Sequence, residues 1–281
     1  MTTPDIEFAG SIPENYDRLM GAAFFEPYAR DAATRLPREA KRVLELACGT
    51  GIVTRALRAA MPAPSVLTAT DLSEGMVEYA RAKLRDVPGI TFRAADACAL
   101  PFDAASFNAV VCQFGIMFVP DKAKAYREAR RVLAPGGRLI FSVWDGFDAN
   151  PVSRIAHEVV ARLLPNDPPQ FLRIPFGSND GEAIQRDLRA AGFASVTMDR
   201  VSFELRAPAA RDLAAGHATG TPLANALRER REVPLERLID EIAQAIAAAH
   251  GDHPVIAPMR ALVFTAVAPM APVVPADAPR R

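Results

Sequence analysis

Between Arg42 and Asp145, short apolar runs rich in Val, Leu and Ile alternate with segments whose apolar residues recur at helical spacing. A strand that is apolar along its whole length has both faces covered, the mark of parallel strands joined by crossover helices. The pattern therefore predicts an α/β sheet with strands at Val43 to Ala47, Val66 to Thr70, Ile90 to Ala94, Phe107 to Gln113 and Gly137 to Val143. Helices are expected over Ile52 to Ala60, Glu74 to Arg85 and Lys122 to Leu133, with Ser73 placed to cap the second. Pro135-Gly136-Gly137 is a turn by its chemistry.

After Asp145 the rhythm changes. Pro151, Pro165, Pro168, Pro169 and Pro175 divide the chain into short pieces around one helix, Val152 to Leu164. A further helix, Glu182 to Ala191, leads into a strand near Ser195 to Leu205, and Met259 to Ala268 reads as the last strand. The stretch Ala209 to Ala249 between them is helical and rich in Ala, Leu and Arg, so we expect a helical cover inserted between two late strands. Residues 269–281 are rich in Pro and Ala without periodicity and are expected to be a disordered tail.

Charge and composition narrow the function. The 281 residues carry 33 Lys+Arg against 33 Asp+Glu, which removes the basic footprint of a protein that grips a phosphate backbone. Nucleic acid is therefore not an expected partner. The first nine residues are acidic and lack an apolar core, unlike a secretion signal. The longest apolar stretch, Ala109 to Val119, is interrupted by Gln113 and Gly115 and is too short for a membrane span. We expect a cytoplasmic monomer or homodimer without membrane contact. Cys48, Cys98 and Cys112 are too few and too scattered for a disulfide framework or a metal site, and each sits in an apolar run as a packed, reduced thiol.

The segment Val43-Leu44-Glu45-Leu46-Ala47-Cys48-Gly49-Thr50-Gly51 carries the chemistry: a buried strand running into a glycine-containing turn that opens a helix. Gly49 and Gly51 permit positive φ and let a nucleotide-sized ligand approach bare backbone. A dinucleotide fingerprint would place Gly or Ala where this chain has Thr54, and Glu45 at the mouth of the turn would repel a pyrophosphate but welcome an ammonium group. An amine-bearing ligand without phosphate fits better. Asp71 ends the second strand, where a carboxylate either takes both ribose hydroxyls or caps the next helix. Asp96, after the third strand, either accepts an exocyclic amine of adenine or is an ordinary loop residue.

Taken together, Val43 to Gly51, Asp71-Leu72-Ser73-Glu74-Gly75-Met76, Asp96 and Leu133 to Leu139 resemble the class I S-adenosylmethionine-dependent methyltransferases, in particular the small-molecule branch that includes quinone C-methyltransferases. The resemblance implies a Rossmann-like, doubly wound sheet of seven strands with the last antiparallel, and S-adenosylmethionine as cofactor. It places Glu45, Ala47 and Gly49 around the methionine part, Asp71 at the ribose, Leu72 and Met76 on the adenine face, Asp96 and Ala97 at the adenine edge, and Gln113 beside the sulfonium. It also implies that residues 1–40 form an N-terminal helical lid, with Tyr16 as the lid element over a cofactor-binding core at 41–145 and a substrate cover within 146–268. Phe24, Phe25 and Tyr28 read as plain core.

The donor brings an activated methyl group, so transfer needs mainly alignment and, for some acceptors, removal of a proton. Cys112-Gln113-Phe114-Gly115 lacks the Asn/Asp-Pro-Pro-Tyr/Phe arrangement of amide and adenine-amine methylation, and no Pro-Cys pair supplies a nucleophilic thiol. The expected acceptor is a small apolar or aromatic molecule methylated on O or C. Trp144, Asp145, Phe114, Met117 and Phe118 are candidates for its pocket. Of the four histidines, His217, in what reads as a flexible part of the cover, is the candidate general base. A non-catalytic module binding S-adenosylmethionine or S-adenosylhomocysteine is the alternative.

Overall fold

The computed structural model describes residues 10–230 and 232–271, so most of the expected tail lies outside the described residues. Seven strands form one sheet: β1 (Arg42–Glu45), β2 (Val66–Asp71), β3 (Ile90–Ala94), β4 (Phe107–Gln113), β5 (Leu133–Trp144), β6 (Ser195–Ala207) and β7 (Val255–Val267). Their order is β3-β2-β1-β4-β5-β7-β6, and β7 runs antiparallel to both neighbours. The five strands up to Trp144 pair in parallel; the inner ones are largely apolar, while edge strand β3 alternates partly buried Ile90 and Phe92 with exposed Thr91 and Arg93. Successive residues feed opposite faces. Val43, Ala109, Val111 and Ile140 pack on one side with Ala32 and Leu57, while Leu44, Val110 and Phe141 pack on the other with Tyr126 and Ala129.

The helices are α1 (Ile12–Tyr16), α2 (Glu26–Thr34), α3 (Ile52–Ala60), α4 (Glu74–Lys83), α5 (Lys122–Val132), α6 (Pro151–Leu163), α7 (Gly181–Ala190), α8 (Ala210–Thr219), α9 (Leu223–Glu229) and α10 (Leu235–His250). Ser73 caps α4, accepting from the Met76 N–H at 3.3 Å. Pro135 to Gly137 stays within β5 as an irregularity in the register against β4, where Gly136 has φ 73°. The single helical stretch expected over Ala209 to Ala249 is instead three helices, because Gly220, Pro222 and Pro234 interrupt it. These helices do lie between β6 and β7, as the sequence pattern suggested.

At the N-terminus α1 and α2 are joined by a π-helix, Asp17–Phe25. Such wider turns are rare and concentrate at functional sites. Asp17 anchors this segment across the sheet's carboxyl edge. Its carboxylate accepts from the Thr50 hydroxyl at 2.9 Å, from the Tyr79 hydroxyl at 3.2 Å and from the Lys83 ammonium at 2.5 Å. All three cysteines are free and buried. Among the described residues no helix is long and apolar enough to cross a membrane.

Candidate functional site

The site begins where β1 ends. The strand stops at Glu45, two residues earlier than expected, because Ala47 already takes φ 52°, followed by Gly49 at 52° and Gly51 at 81°. A left-handed conformation is costly for a residue with a side chain, so Ala47 marks backbone held by its surroundings. A Cβ built on Gly49 would meet nothing within 4 Å, and the space in front of this turn is open to a ligand. Gly51 has no such room: a Cβ there would lie 2.9 Å from a Leu84 methyl.

Glu45 is 1% exposed, and one of its carboxylate oxygens, Oε2, is buried without a hydrogen-bond partner. Burial pushes this carboxyl up to about 8, with Thr54 pulling against the shift and Asp71 adding to it. A buried, unpaired acceptor is expensive unless something arrives to pair with it. An ammonium group would do so.

Asp71 holds the turn from the next strand. Its two oxygens accept the Gly49 N–H and the Ser73 N–H, each at 2.9 Å. Burial pushes its carboxyl up while those N–H groups pull it down. Asp71 thus ties the turn after β1 to the turn after β2, and the Ser73, Gly49 and Leu72 N–H groups leave part of its acceptor capacity for a further donor. Beside it Leu72 is 77% exposed, an apolar side chain at a strand tip with nothing over it, while Met76 is 3% exposed beneath. Asp96 is exposed and accepts the Cys98 N–H at 2.8 Å, with Ala97 partly buried next to it.

Tyr16 reaches this group from the N-terminal segment. Its ring stacks on Phe25 at 4.7 Å between centroids, and burial, reinforced by the Asp71 and Asp17 carboxylates, pushes its phenol up. Gln113 goes elsewhere. Its amide donates to the Phe25 carbonyl at 3.2 Å, and it lies with Tyr28, Asp31 and Ser142 on the α2 side of the sheet. Gln113 thus ties the N-terminal segment to β4, while its Oε1 is buried without a hydrogen-bond partner.

On the other side of Tyr16 opens an aromatic-walled cleft. Phe24, Phe25, Phe114, Met117, Phe118 and Trp144 form its walls, and Phe171 and Phe176 close it from the cover. The residues that line it include no Asp, Glu, Lys or Arg. Phe114 and Trp144 stack at 3.9 Å and 7°. Phe24 and Phe25, expected as plain core, are wall as well as core. Asp145 does not join them, being paired with Arg260 at 2.6 Å. His217 does, with Ser153 and Thr221. It sits within α8 at 1% exposure, so the expectation of a flexible stretch is corrected: the Ser153 hydroxyl, the Leu213 carbonyl and the Phe24 ring hold the imidazole in place.

Sequence reasoning missed Gly115. A Cβ there would come within 2.3 Å of the Ala47 Cβ and 3.0 Å of Cys112 Sγ, so only glycine lets the tip of β4 close against the turn after β1. It also missed Asp17, Ser153, Phe171 and Phe176, whose partners are distant in sequence. For Asp17 the adjacency to Tyr16 was the available signal.

Three comparisons agree with this geometry. Residues 44–141 match the methyltransferase domain model Methyltransf_11. A demethylmenaquinone methyltransferase of Clavibacter sepedonicus is 36% identical over 180 residues, covering 59% of this chain and 72% of that one. A protein of the same name from Staphylococcus epidermidis is 34% identical over 134 residues, 46% of this chain and 56% of its own length. A Haemonchus contortus phosphoethanolamine N-methyltransferase, solved with S-adenosyl-L-methionine, shares the fold with a TM-score of 0.57 at 17% identity, over 92% of this chain and 57% of that one.

Proposed function

Because the chain belongs to the class I S-adenosylmethionine-dependent methyltransferases, we propose that it methylates oxygen or carbon of a small apolar or aromatic acceptor held in the aromatic cleft. The observation that carries this reading is the lining itself: stacked aromatic walls without a single formal charge. An amine or phosphorylated acceptor would ask for a carboxylate or a cation there. The quinone in the name of the two sequence relatives agrees with a ring-shaped, uncharged acceptor.

The methyl donor supplies a methyl group activated by the positive sulfonium. This chain's residues hold it at the strand tips. Glu45, with its unpaired buried oxygen, receives the ammonium of the methionine part, and the open turn at Ala47 and Gly49 receives the rest of that part. Asp71 accepts from the ribose with the lone pairs that Gly49 and Ser73 leave. Exposed Leu72 and buried Met76 form the adenine face, with Asp96 and Ala97 at the adenine edge. Tyr16 separates the two compartments, and the Asp17 contacts hold the N-terminal segment over them as a lid that excludes water.

Transfer of labelled methyl from S-adenosylmethionine to a panel of quinols, phenols and aliphatic amines tests this reading. We expect products with the ring acceptors and none with the amines. Transfer to amines alone, or to nothing across the panel, would overturn it.

A further inference from the structure

Two polar side chains stand on the wall of the aromatic cleft, brought there by separate helices. Ser153 lies in the first turn of α6 and His217 near the end of α8, and they are 4% and 1% exposed. Ser153 Oγ is 3.2 Å from His217 Nε2. On the far side of the ring, Nδ1 is 2.8 Å from the carbonyl oxygen of Leu213. A carbonyl only accepts, so Nδ1 carries a hydrogen. Burial lowers the basicity of the ring, and the Leu213 carbonyl only partly offsets it, which keeps the imidazole neutral. Nε2 therefore presents a lone pair, the Ser153 hydroxyl donates to it, and the serine oxygen keeps its own lone pairs for a ligand.

The other polar groups of the cleft are differently committed. The Thr221 hydroxyl donates to the His217 carbonyl at 2.8 Å and accepts the Leu223 N–H at 3.3 Å. Tyr16 is the other titratable side chain of the lining, and its phenol is pushed up, so it stays protonated. Against His217 itself pack Phe24, edge to face at 5.6 Å, and Ser153, and no charged side chain contributes to its protonation.

We propose that Ser153 and His217 recognise and deprotonate a phenolic hydroxyl on the acceptor. This rests on the methyltransferase reading above and names the acceptor class within it. The acceptor's O–H donates to Ser153 Oγ while the Ser153 hydrogen moves to Nε2. The electron pair of the broken O–H bond stays on the acceptor oxygen, the serine ends as it began, and His217 becomes an imidazolium whose Nδ1–H stays on the Leu213 carbonyl. The proton passes to solvent when the product leaves. A phenol suits this base better than an aliphatic alcohol, because its acidity, near that of tyrosine at about 10, leaves a much smaller gap to an imidazole whose basicity burial lowers. The walls agree: Phe24, Phe114, Trp144 and Phe176 offer ring faces and edges to a ring.

The test uses the whole chain, with S-adenosylhomocysteine present, and follows the absorbance of a chromogenic nitrophenol as pH is varied. In the unmodified protein the bound phenol should ionise at a lower pH than the free phenol. In His217→Asn the amide still donates to the Leu213 carbonyl but offers no base, so the shift should vanish and kcat should fall about 100-fold or more, with KM changed much less. Ser153→Ala should reduce the shift and leave the melting profile intact. A bound phenol that ionises like the free one in the unmodified protein, or an undiminished shift in His217→Asn, would overturn the proposal. Should His217→Asn fail to fold, the unmodified protein and Ser153→Ala decide the matter. Calorimetry with S-adenosylhomocysteine separates the two levels: without binding the methyltransferase reading itself fails, while binding without phenol ionisation removes only the Ser153–His217 assignment.

Discussion

The two walls of the site are built on opposite principles. The strand-tip wall is polar and made of neighbours in sequence: Glu45, Ala47 and Gly49 lie within five residues, Asp71 and Leu72 are adjacent, and backbone N–H groups do much of the holding. The cleft wall is apolar and assembled from distant pieces, with Phe24 on the π-helix, Phe114 and Trp144 at strand ends, and Phe171, Phe176 and His217 in the cover. A wall of that first kind suits a ligand of invariant chemistry, whose charges must each meet a partner. One of the second kind selects by shape, and its elements can vary without disturbing the sheet.

The sharpest way to break the comparison is where the tip of β4 closes against the turn after β1. Gly115→Ala would drive a methyl into Ala47, whose backbone is already strained. Overpacking of this kind costs about 1–3 kcal/mol. We expect a melting temperature lower by several degrees, and S-adenosylhomocysteine affinity and turnover that both fall. If only one of the two responds, the walls are not coupled at this glycine.

Next in size, Asp71→Ala should weaken S-adenosylhomocysteine by about 10–100-fold in calorimetry, from the loss of charge-assisted hydrogen bonds. It should also lower stability, since the Gly49 and Ser73 N–H groups lose their acceptor. Nitrophenol binding in the cleft should be preserved.

Phe171→Ala sharpens the contrast from the other side. Phe171 is partly buried and stacks on Phe118 at 5.9 Å. Removing it should raise the acceptor KM by about tenfold, on the order of the 1.4 kcal/mol that corresponds to a tenfold change in an equilibrium. The S-adenosylhomocysteine affinity should stay within twofold. Weaker donor binding in this variant would mean that the cover contributes to both compartments.

The difference between the walls also explains what could be read from residue order. The sheet was legible because parallel strands leave continuous apolar runs, and the turn was legible because strand, glycines and helix are contiguous. The positions of Glu45, Asp71 and Asp96 at or just beyond strand tips could be read from the same runs. The π-helix was not legible, since Phe24 and Phe25 satisfy helical spacing whether the turn is tight or wide. Position at the end of β4 did not reveal that the Gln113 amide donates to the Phe25 carbonyl. Ser153 and His217 are 64 residues apart, and only the packing of α6 beside α8 makes them a pair.

Glu45 offers the smallest perturbation and the most direct test. Its carboxyl, held up to about 8 by burial, is mostly protonated in the unliganded protein at pH 7. A folded-state value above the ordinary carboxylate range adds stability that is complete below about pH 4.3 and is lost as pH rises through 8. The melting temperature of the unliganded protein should accordingly fall between those limits, and Glu45→Gln should flatten the trend.

An arriving ammonium group reverses the preference in favour of the carboxylate. Titration of S-adenosylhomocysteine into the protein at pH 7, in two buffers of different ionisation heat, reads the exchange directly. The account requires binding accompanied by net release of a proton, abolished in Glu45→Gln. Binding heats that differ only by instrument error between the buffers, or that show the same release without the carboxyl, would contradict it.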